Sequence, residues 1–459
     1  MNFWDFSVWG FFNLVAVLLL TLLLANIMKK YIKFLRDSLI PTSVLGGLVL
    51  LVIATIFKAC TGRNMFDTGV FNFNGSSSLE IVTYHCLAFG FIATTFSSNK
   101  PKLDRKRERE IFDTGVTTVS TYLLQAIFGM GITLIAVMFV TGLIPAAGIL
   151  LPFGYGQGTG QAMNYGNIYQ NDYGFTGGKN FGLSIAALGF LSASIGGVVH
   201  LNIMKKKGKI KISTEKPKAK IENESEKDER FMNGGLDSLT IQIAAIFITY
   251  MISFIIIYIL GQLVPGFKSI LYGFNFLIGV LITSLLKLAL RGLRKVNFLK
   301  YDYINSDEMN KLGSFFFDLM IVAGIAVIQI DLLFEYWHVL LILGIAGLFL
   351  TYYYNRFVAK VLFPEYEQEQ FLAMYGMLTG TASTGIILLR EIDRDFETPA
   401  ADNLVFQNFP AIVFGFPMML LATLAPKKPV VTLLILTGFF IVMNLILFRR
   451  QIFCRKKKD

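Results

Sequence analysis

Two stretches of this sequence combine residue types suited to holding a small anion together with a hard cation. The first, IPAAGILLPFGYGQGTGQAMNYGNI, carries Gly154, Gly156, Gly158 and Gly160 around its middle, and the second, EQEQFLAMYGMLTGTASTGIILLRE, carries Gly376, Gly380 and Gly385 in the corresponding place. Each reaches a Gly-Thr pair, Gly158-Thr159 and Gly380-Thr381, followed by small polar residues: Gln161 in one, Ser383 and Thr384 in the other. A helix broken at such a point presents N-terminal amides to a carboxylate, and its freed carbonyls and hydroxyls suit an ion such as Na⁺. Glycine lets the backbone approach the ligand with no side chain in between. Tight helix packing, the reading that fits Gly46, Gly47, Gly196 and Gly197, explains single glycines more readily than two matched mid-segment sets.

The elements that must position these tips are membrane helices. Of the 459 residues 54% are hydrophobic and 16% charged, against roughly 25% charged in soluble domains. Apolar stretches long enough to cross a core of about 30 Å occur near 7–28, 39–57, 79–97, 114–141 and 180–204. A second set follows near 236–261, 265–290, 312–330, 336–355 and 403–424, with an extra one at 429–448. The stretch 7–28 is too long for a typical signal peptide and reads as a retained first helix. The glycine-rich segments, 144–168 and 368–391, are left over. Two arms of about ten residues each would reach ~15 Å, half the bilayer core, so both tips are expected near the midplane as re-entrant hairpins. Between the halves, 205–235 is a polar run of mixed charge and reads as a flexible linker.

Basic residues near helix ends stay on the cytoplasmic side. With the N-terminus outside and every span crossing once, all but six of the 42 Lys and Arg fall inside, the exceptions being Lys58, Arg63, Lys179, Lys268, Lys427 and Lys428. Counting either hairpin as a full crossing would reverse every later loop. The expected architecture is therefore an all-α polytopic membrane protein of two inverted five-helix repeats, 1–204 and 236–424, each with a re-entrant hairpin, plus an extra C-terminal helix and basic tail at 425–459. The C-terminus is expected in the cytoplasm. Inverted repeats with a site at the midplane are a recurring plan for secondary transporters. The net charge of +11 is then the basic cytoplasmic face and needs no nucleic-acid partner.

Among intramembrane polar groups, Asp318 stands out, about one and a half turns into the span 312–330, where an acid is costly and often functional. It is a candidate cation or proton site, against the reading of a hydrated vestibule acid. His85 and His200 read as satisfied structural histidines. Gln407 and Asn408, just before Pro410, are placed to line a cavity or to bond between helices. Cys60, Cys86 and Cys454 are scattered and form no metal or disulfide pattern.

With IPTSVLGG in the second span, GYGQGTGQA in the first hairpin, Tyr173-Gly174-Phe175 ahead of a Gly-rich helix reaching SIGG, and LGSFFFDLMIVAGIAVI and Pro410 in the second half, the chain resembles the bacterial sodium/glutamate symporter family over most of its length. Tyr155, Gly156, Gln157, Gly158 and Thr159 stand where that family commonly carries a Gly-Gly-His-Gly-Thr type run. The resemblance implies a homodimer in the cell inner membrane and Na⁺-driven symport of an acidic amino acid, glutamate first, by alternating access. It carries substrate binding onto Gly156, Gln157, Gly158, Thr159, Gly160, Gln161, Gly380, Thr381, Ala382, Ser383 and Thr384. The cation is assigned to Asp318, Thr381 and Ser383.

Other readings are a sodium- or proton-coupled carrier of another small organic anion and, further off, an ion channel. Gly154-Tyr155-Gly156 has the letters of a potassium filter. Pro152 and Phe153 precede it, however, where a filter wants Thr-Val. No P-loop or catalytic-triad spacing occurs, so an enzyme or ATP-driven pump is not expected.

Overall fold

The computed structural model describes residues 2–97, 104–208, 210, 236–265, 268–296, 303–334, 336–393 and 396–453. Most of the expected linker 205–235, Arg394, Cys454 and the rest of the basic tail lie outside the described residues. Among those described there is no strand. The main helices are α1 (Phe6–Tyr31), α2 (Thr42–Thr61), α3 (Gly75–Ser97), α4 (Arg105–Ala136), α5 (Leu150–Tyr173), α6 (Gly178–Lys206), α7 (Ser238–Leu263), α8 (Asn275–Lys295), α9 (Ser306–Ala326), α10 (Trp337–Leu362), α11 (Glu367–Thr379), α12 (Ala382–Arg390), α13 (Ala400–Phe406), α14 (Asn408–Leu424) and α15 (Pro429–Leu447).

Ten of the described helices are long and apolar enough to cross a membrane, and α13 with the later part of α14 makes an eleventh candidate, bent by 50°. All eleven overlap the expected spans, although α4 starts at Arg105 rather than 114 and α8 at Asn275 rather than 265. Their surfaces need lipid: on α7, Phe247, Met251, Phe254 and Tyr258 are each about half exposed, a continuous apolar face that water would not tolerate on a soluble monomer. Polar caps fix where some helices begin. The Asp104 carboxylate accepts from the Arg107 amide (2.7 Å) ahead of α4, and Asp237 accepts from the Thr240 amide (3.1 Å) ahead of α7. Both satisfy amides that a helix start leaves unpaired.

The chain divides into two compact units. The first holds 1–80, 103–214 and 321–459, and the second 81–102 and 215–320. In the second, Ile92, Ala93, Phe96, Ile246 and Met309 form a core against which Phe89, Tyr250 and Phe316 pack. His85 sits beside it, its Nδ1 2.6 Å from the Tyr250 hydroxyl. In the first, α6 is the central strut, and α5, α10, α11 and α12 all pack on it.

The structure corrects one depth. α9 begins at Ser306, not 312, because Asp307 and Glu308 are favourable in a first helical turn. Asp318 therefore lies near the middle of the helix rather than close to its start. A hydropathy window excludes the acidic turn that actually opens the helix.

Candidate functional site

α5 is not one straight helix. Gly158 has φ 77° and ψ −170°, while the rest of α5 keeps helical angles. Only glycine adopts that conformation readily. On a continuous helix Phe153 and Tyr165 would stand roughly 18 Å apart; instead their rings stack with centroids 3.9 Å apart and an 11° interplanar angle. The chain thus folds back at Gly158 into two helical arms. The second arm ends at Gly174, with φ 70°, where the Gly174 and Phe175 amides both donate to the Tyr169 carbonyl, the latter at 3.0 Å. Three tyrosines of that arm, Tyr165, Tyr169 and Tyr173, donate to the carbonyls of Met419, Ala422 and Thr423 on α14.

α11 and α12 form the other hairpin. A Cβ built on Gly376 would lie 2.7 Å from the Gly385 Cα, and one on Gly385 would lie 2.4 Å from the Ala373 carbonyl oxygen. The turn between them is Gly380 and Thr381, the latter in extended conformation. The Thr381 and Thr384 hydroxyls are 3.4 Å apart.

The two hairpins meet on α6. Along that helix Gly166 abuts Gly178, Ala162 abuts Gly182 and Gly154 abuts Ile185 and Ala186, so the first hairpin points its turn toward the helix centre. The second arrives from the opposite end, with Tyr375 against Gly196. Both reach Gly189, where an added Cβ would stand 2.7 Å from the Thr379 carbonyl oxygen and 3.1 Å from the Tyr155 ring. Phe190, the next residue, lies against Gly380.

The sequence-selected residues divide by exposure. In the first turn Gly158, Thr159, Gly160 and Gln161 are buried, with Gly156 and Gln157 half-buried. Thr159 is covered by Gly324 of α9, whose Cβ position is 2.7 Å from the Thr159 Cβ. The side-chain nitrogens of Gln157 and Gln161 have no hydrogen-bond partner among the described residues, so two amide donors wait in this turn. In the second, Gly380 and Thr384 are buried, Thr381 is half-buried, and Ala382 and Ser383 are exposed at the first turn of α12. Open amides at a helix start, with a serine hydroxyl beside them, are the chemistry that takes a carboxylate. Arg390 closes α12 at its other end, roughly 12 Å of helical rise from Ala382, and its guanidinium lies 5.2 Å from the Phe396 ring centre. It does not reach the turn.

Asp318 belongs to the second unit, where it is half-buried and makes an interaction of its own. His200 has both ring nitrogens engaged, by the Tyr352 hydroxyl and the Gln368 side-chain oxygen, each at 2.9 Å. Gln407 bridges α4 and α11: its side-chain oxygen accepts from Thr118 (2.9 Å) and its amide donates to the Met377 sulfur (3.2 Å). Gly154 and Gly156 lie in a helical arm beside a Tyr155 whose hydroxyl donates to the Gly344 carbonyl (2.6 Å), not in an extended ring of carbonyls.

What sequence reading missed is the polar stripe of α4. Thr114, Thr118, Thr121 and Gln125 recur at helical spacing and form one polar stripe, buried throughout. Tyr122 donates to the Gly156 carbonyl (2.9 Å), while the Gln125 amide donates to the Leu378 carbonyl (3.0 Å) and the Thr351 hydroxyl (2.7 Å). Thr114 accepts from Gln370 of α11 (3.2 Å). The signal was present as a threonine run, TGVTTVST, ending in a glutamine within an apolar span.

Comparison with known proteins adds one match. The family model described as sodium/glutamate symporter covers residues 10–445 of the chain. No curated protein matches it.

Proposed function

Because the chain belongs to the sodium/glutamate symporter family, and is on that ground a sodium-coupled, multi-pass membrane transporter, we propose that it takes up an acidic amino acid, glutamate first, at the two hairpin turns. The observation that carries this reading is the convergence of the two hairpins, through Tyr155 and Thr379, on Gly189 from opposite ends of α6. Irregular backbone at membrane depth is tolerated where it lines a cavity, and paired broken helices are how transporters build a midplane site.

The substrate α-carboxylate is held by the amides at the start of α12, with Ser383 and Thr384, while Gly156 to Gln161 close the site from the other side. The Gln157 and Gln161 amides, without partners in the protein, are the donors offered to the second carboxylate. Thr381 and Ser383 contribute oxygens for Na⁺, and Asp318 is the acid that tunes the ion response from the second unit. The halves 1–204 and 236–424 act as inverted repeats with re-entrant segments at 144–168 and 368–391, and the linker 205–235 and the C-terminal part 425–459 lie toward the cytoplasm. The body that carries both hairpins alternates its access between the two sides of the inner membrane, in a homodimer.

The test is uptake of labelled glutamate into proteoliposomes, with Na⁺ and H⁺ gradients varied separately and a panel of amino and dicarboxylic acids as competitors. Uptake that follows the Na⁺ gradient and is blocked by acidic amino acids is expected. Competition by another anion alone would leave the sodium-coupled mechanism and overturn the substrate.

A further inference from the structure

Just beneath the second turn, α4 and α10 hold two buried amide side chains whose oxygens face no donor. Gln125 is fully buried and Asn355 is 2% exposed. Gln125 Oε1 and Asn355 Oδ1 have no hydrogen-bond partner among the described residues.

The direction of each oxygen is fixed by its own amide. The Gln125 Nε2 donates to the Leu378 carbonyl (3.0 Å), and the Asn355 Nδ2 donates to the Thr351 carbonyl (2.9 Å). A carbonyl only accepts, so turning either amide over would set two acceptors against each other. The pair is linked through Thr351, whose hydroxyl accepts from Gln125 (2.7 Å), and through Thr121, whose hydroxyl accepts from Asn355 (3.3 Å).

Leaving buried acceptors unmet costs free energy, and such groups in a native protein call for a partner. A partner here must be a donor or a cation. With neutral oxygens from two amides and two hydroxyls, and no group of three or more acidic, His or Cys ligands among the described residues, the donor set suits a small monovalent ion. A divalent metal would want carboxylates or softer ligands.

We infer that Gln125 and Asn355, with Thr121 and Thr351, form a Na⁺ site under the second hairpin turn, separate from the turn oxygens themselves. The inference rests on the sodium-coupled reading above and says where an ion sits. Occupancy couples to the substrate site through the Leu378 carbonyl, two residues before Gly380. An ion on Gln125 Oε1 polarises its amide, strengthening the bond that fixes the end of α11.

The test uses the full chain purified in detergent and in proteoliposomes, titrating NaCl against choline chloride. Half-maximal Na⁺ concentrations are read from thermal stabilisation and from glutamate uptake. Gln125→Met and Asn355→Leu, which keep volume and remove the oxygen, are each expected to raise both values at least tenfold. Gln125→Glu keeps an oxygen for the ion but gives up the amide bond to Leu378, so it is expected to hold the value read from thermal stabilisation at or below that of wild type, and this reading keeps the idea testable if the apolar variants misfold. Unchanged Na⁺ dependence in the apolar variants, or a rise in that thermal value in Gln125→Glu, overturns the site while leaving sodium coupling intact; a water would give the former result. Wild-type uptake indifferent to Na⁺ would instead sink sodium coupling itself, and the site with it.

Discussion

Tyr122 and Gln125 stand three residues apart on α4, and each holds the carbonyl that precedes one of the two helix breaks, Gly156 in the first hairpin and Leu378 in the second. One rigid helix thus sets the spacing of both turns. A displacement of α4 along its axis would be felt at both breaks together, which is the behaviour a two-sided binding site requires.

Gly189→Leu is expected to lower sodium-driven glutamate uptake at least tenfold while the protein still inserts and purifies. The added side chain meets the Thr379 carbonyl, which is backbone and cannot swing aside, and overpacking of this kind costs about 1–3 kcal/mol. Uptake per inserted protein in proteoliposomes reads the effect. Normal transport by this variant would place the working site away from Gly189.

At Gly158 the backbone itself is the constraint. Alanine there must adopt φ 77°, ψ −170°, at a cost of about 1–3 kcal/mol, so Gly158→Ala should melt several degrees lower and lose uptake. Gly380 is crowded by side chains and backbone: Thr384 Oγ1 lies 2.8 Å from its Cβ position. Gly380→Leu should therefore abolish uptake with a smaller change in melting temperature than its effect on transport would suggest. Equal melting temperatures for wild type and Gly158→Ala would contradict the strained turn.

Asp318→Asn tests the one acid inside an apolar span that sequence reading selected. If it tunes the ion response, the Na⁺ concentration for half-maximal uptake should rise several-fold at unchanged abundance. An unaltered Na⁺ dependence would leave Asp318 as a vestibule or packing group.

Cysteines introduced at Ser213 or Ser225, in the linker, should react with a membrane-impermeant reagent only after the cytoplasmic face is opened. Labelling in intact cells would reverse the orientation derived from the basic residues.

Much of the fold was legible because hydropathy is a local property. Each of the eleven expected spans could be read from its own 20-odd residues, as could the glycine-rich turns, since Gly-Thr pairs inside apolar segments are unusual wherever they occur. The start of α9 was misplaced because Ser306, Asp307 and Glu308 are polar yet favour a first helical turn. The α4 stripe went unnoticed for a different reason: threonine is tolerated anywhere in a membrane helix by bonding its own i−4 carbonyl, as Thr117 and Thr121 do. Its importance appears only when Gln370, Gln407 and Asn355, far away in sequence, are brought against it. The role of Gly189 is hidden similarly, because nothing in GLSIAALGFLSASIGG separates that glycine from its neighbours.

The last span, α15, packs on α4 and is fastened at its end. The Arg449 guanidinium bonds the Asp113 carboxylate of α4 (2.7 Å), Tyr354 of α10 donates to the Asn444 side-chain oxygen (2.8 Å), and the Phe357 and Phe448 rings pair at 5.5 Å. α15 is therefore tied to the two helices that carry the amide pair and brace the hairpin turns. For spectroscopy this makes it a built-in reference frame: spin labels on the outward faces of α10 and α15, at Tyr353 and Val442, should report a single distance through every step of turnover. Under the proposed alternating access, a fluorophore on α15 itself would ride with the hairpins rather than record their passage.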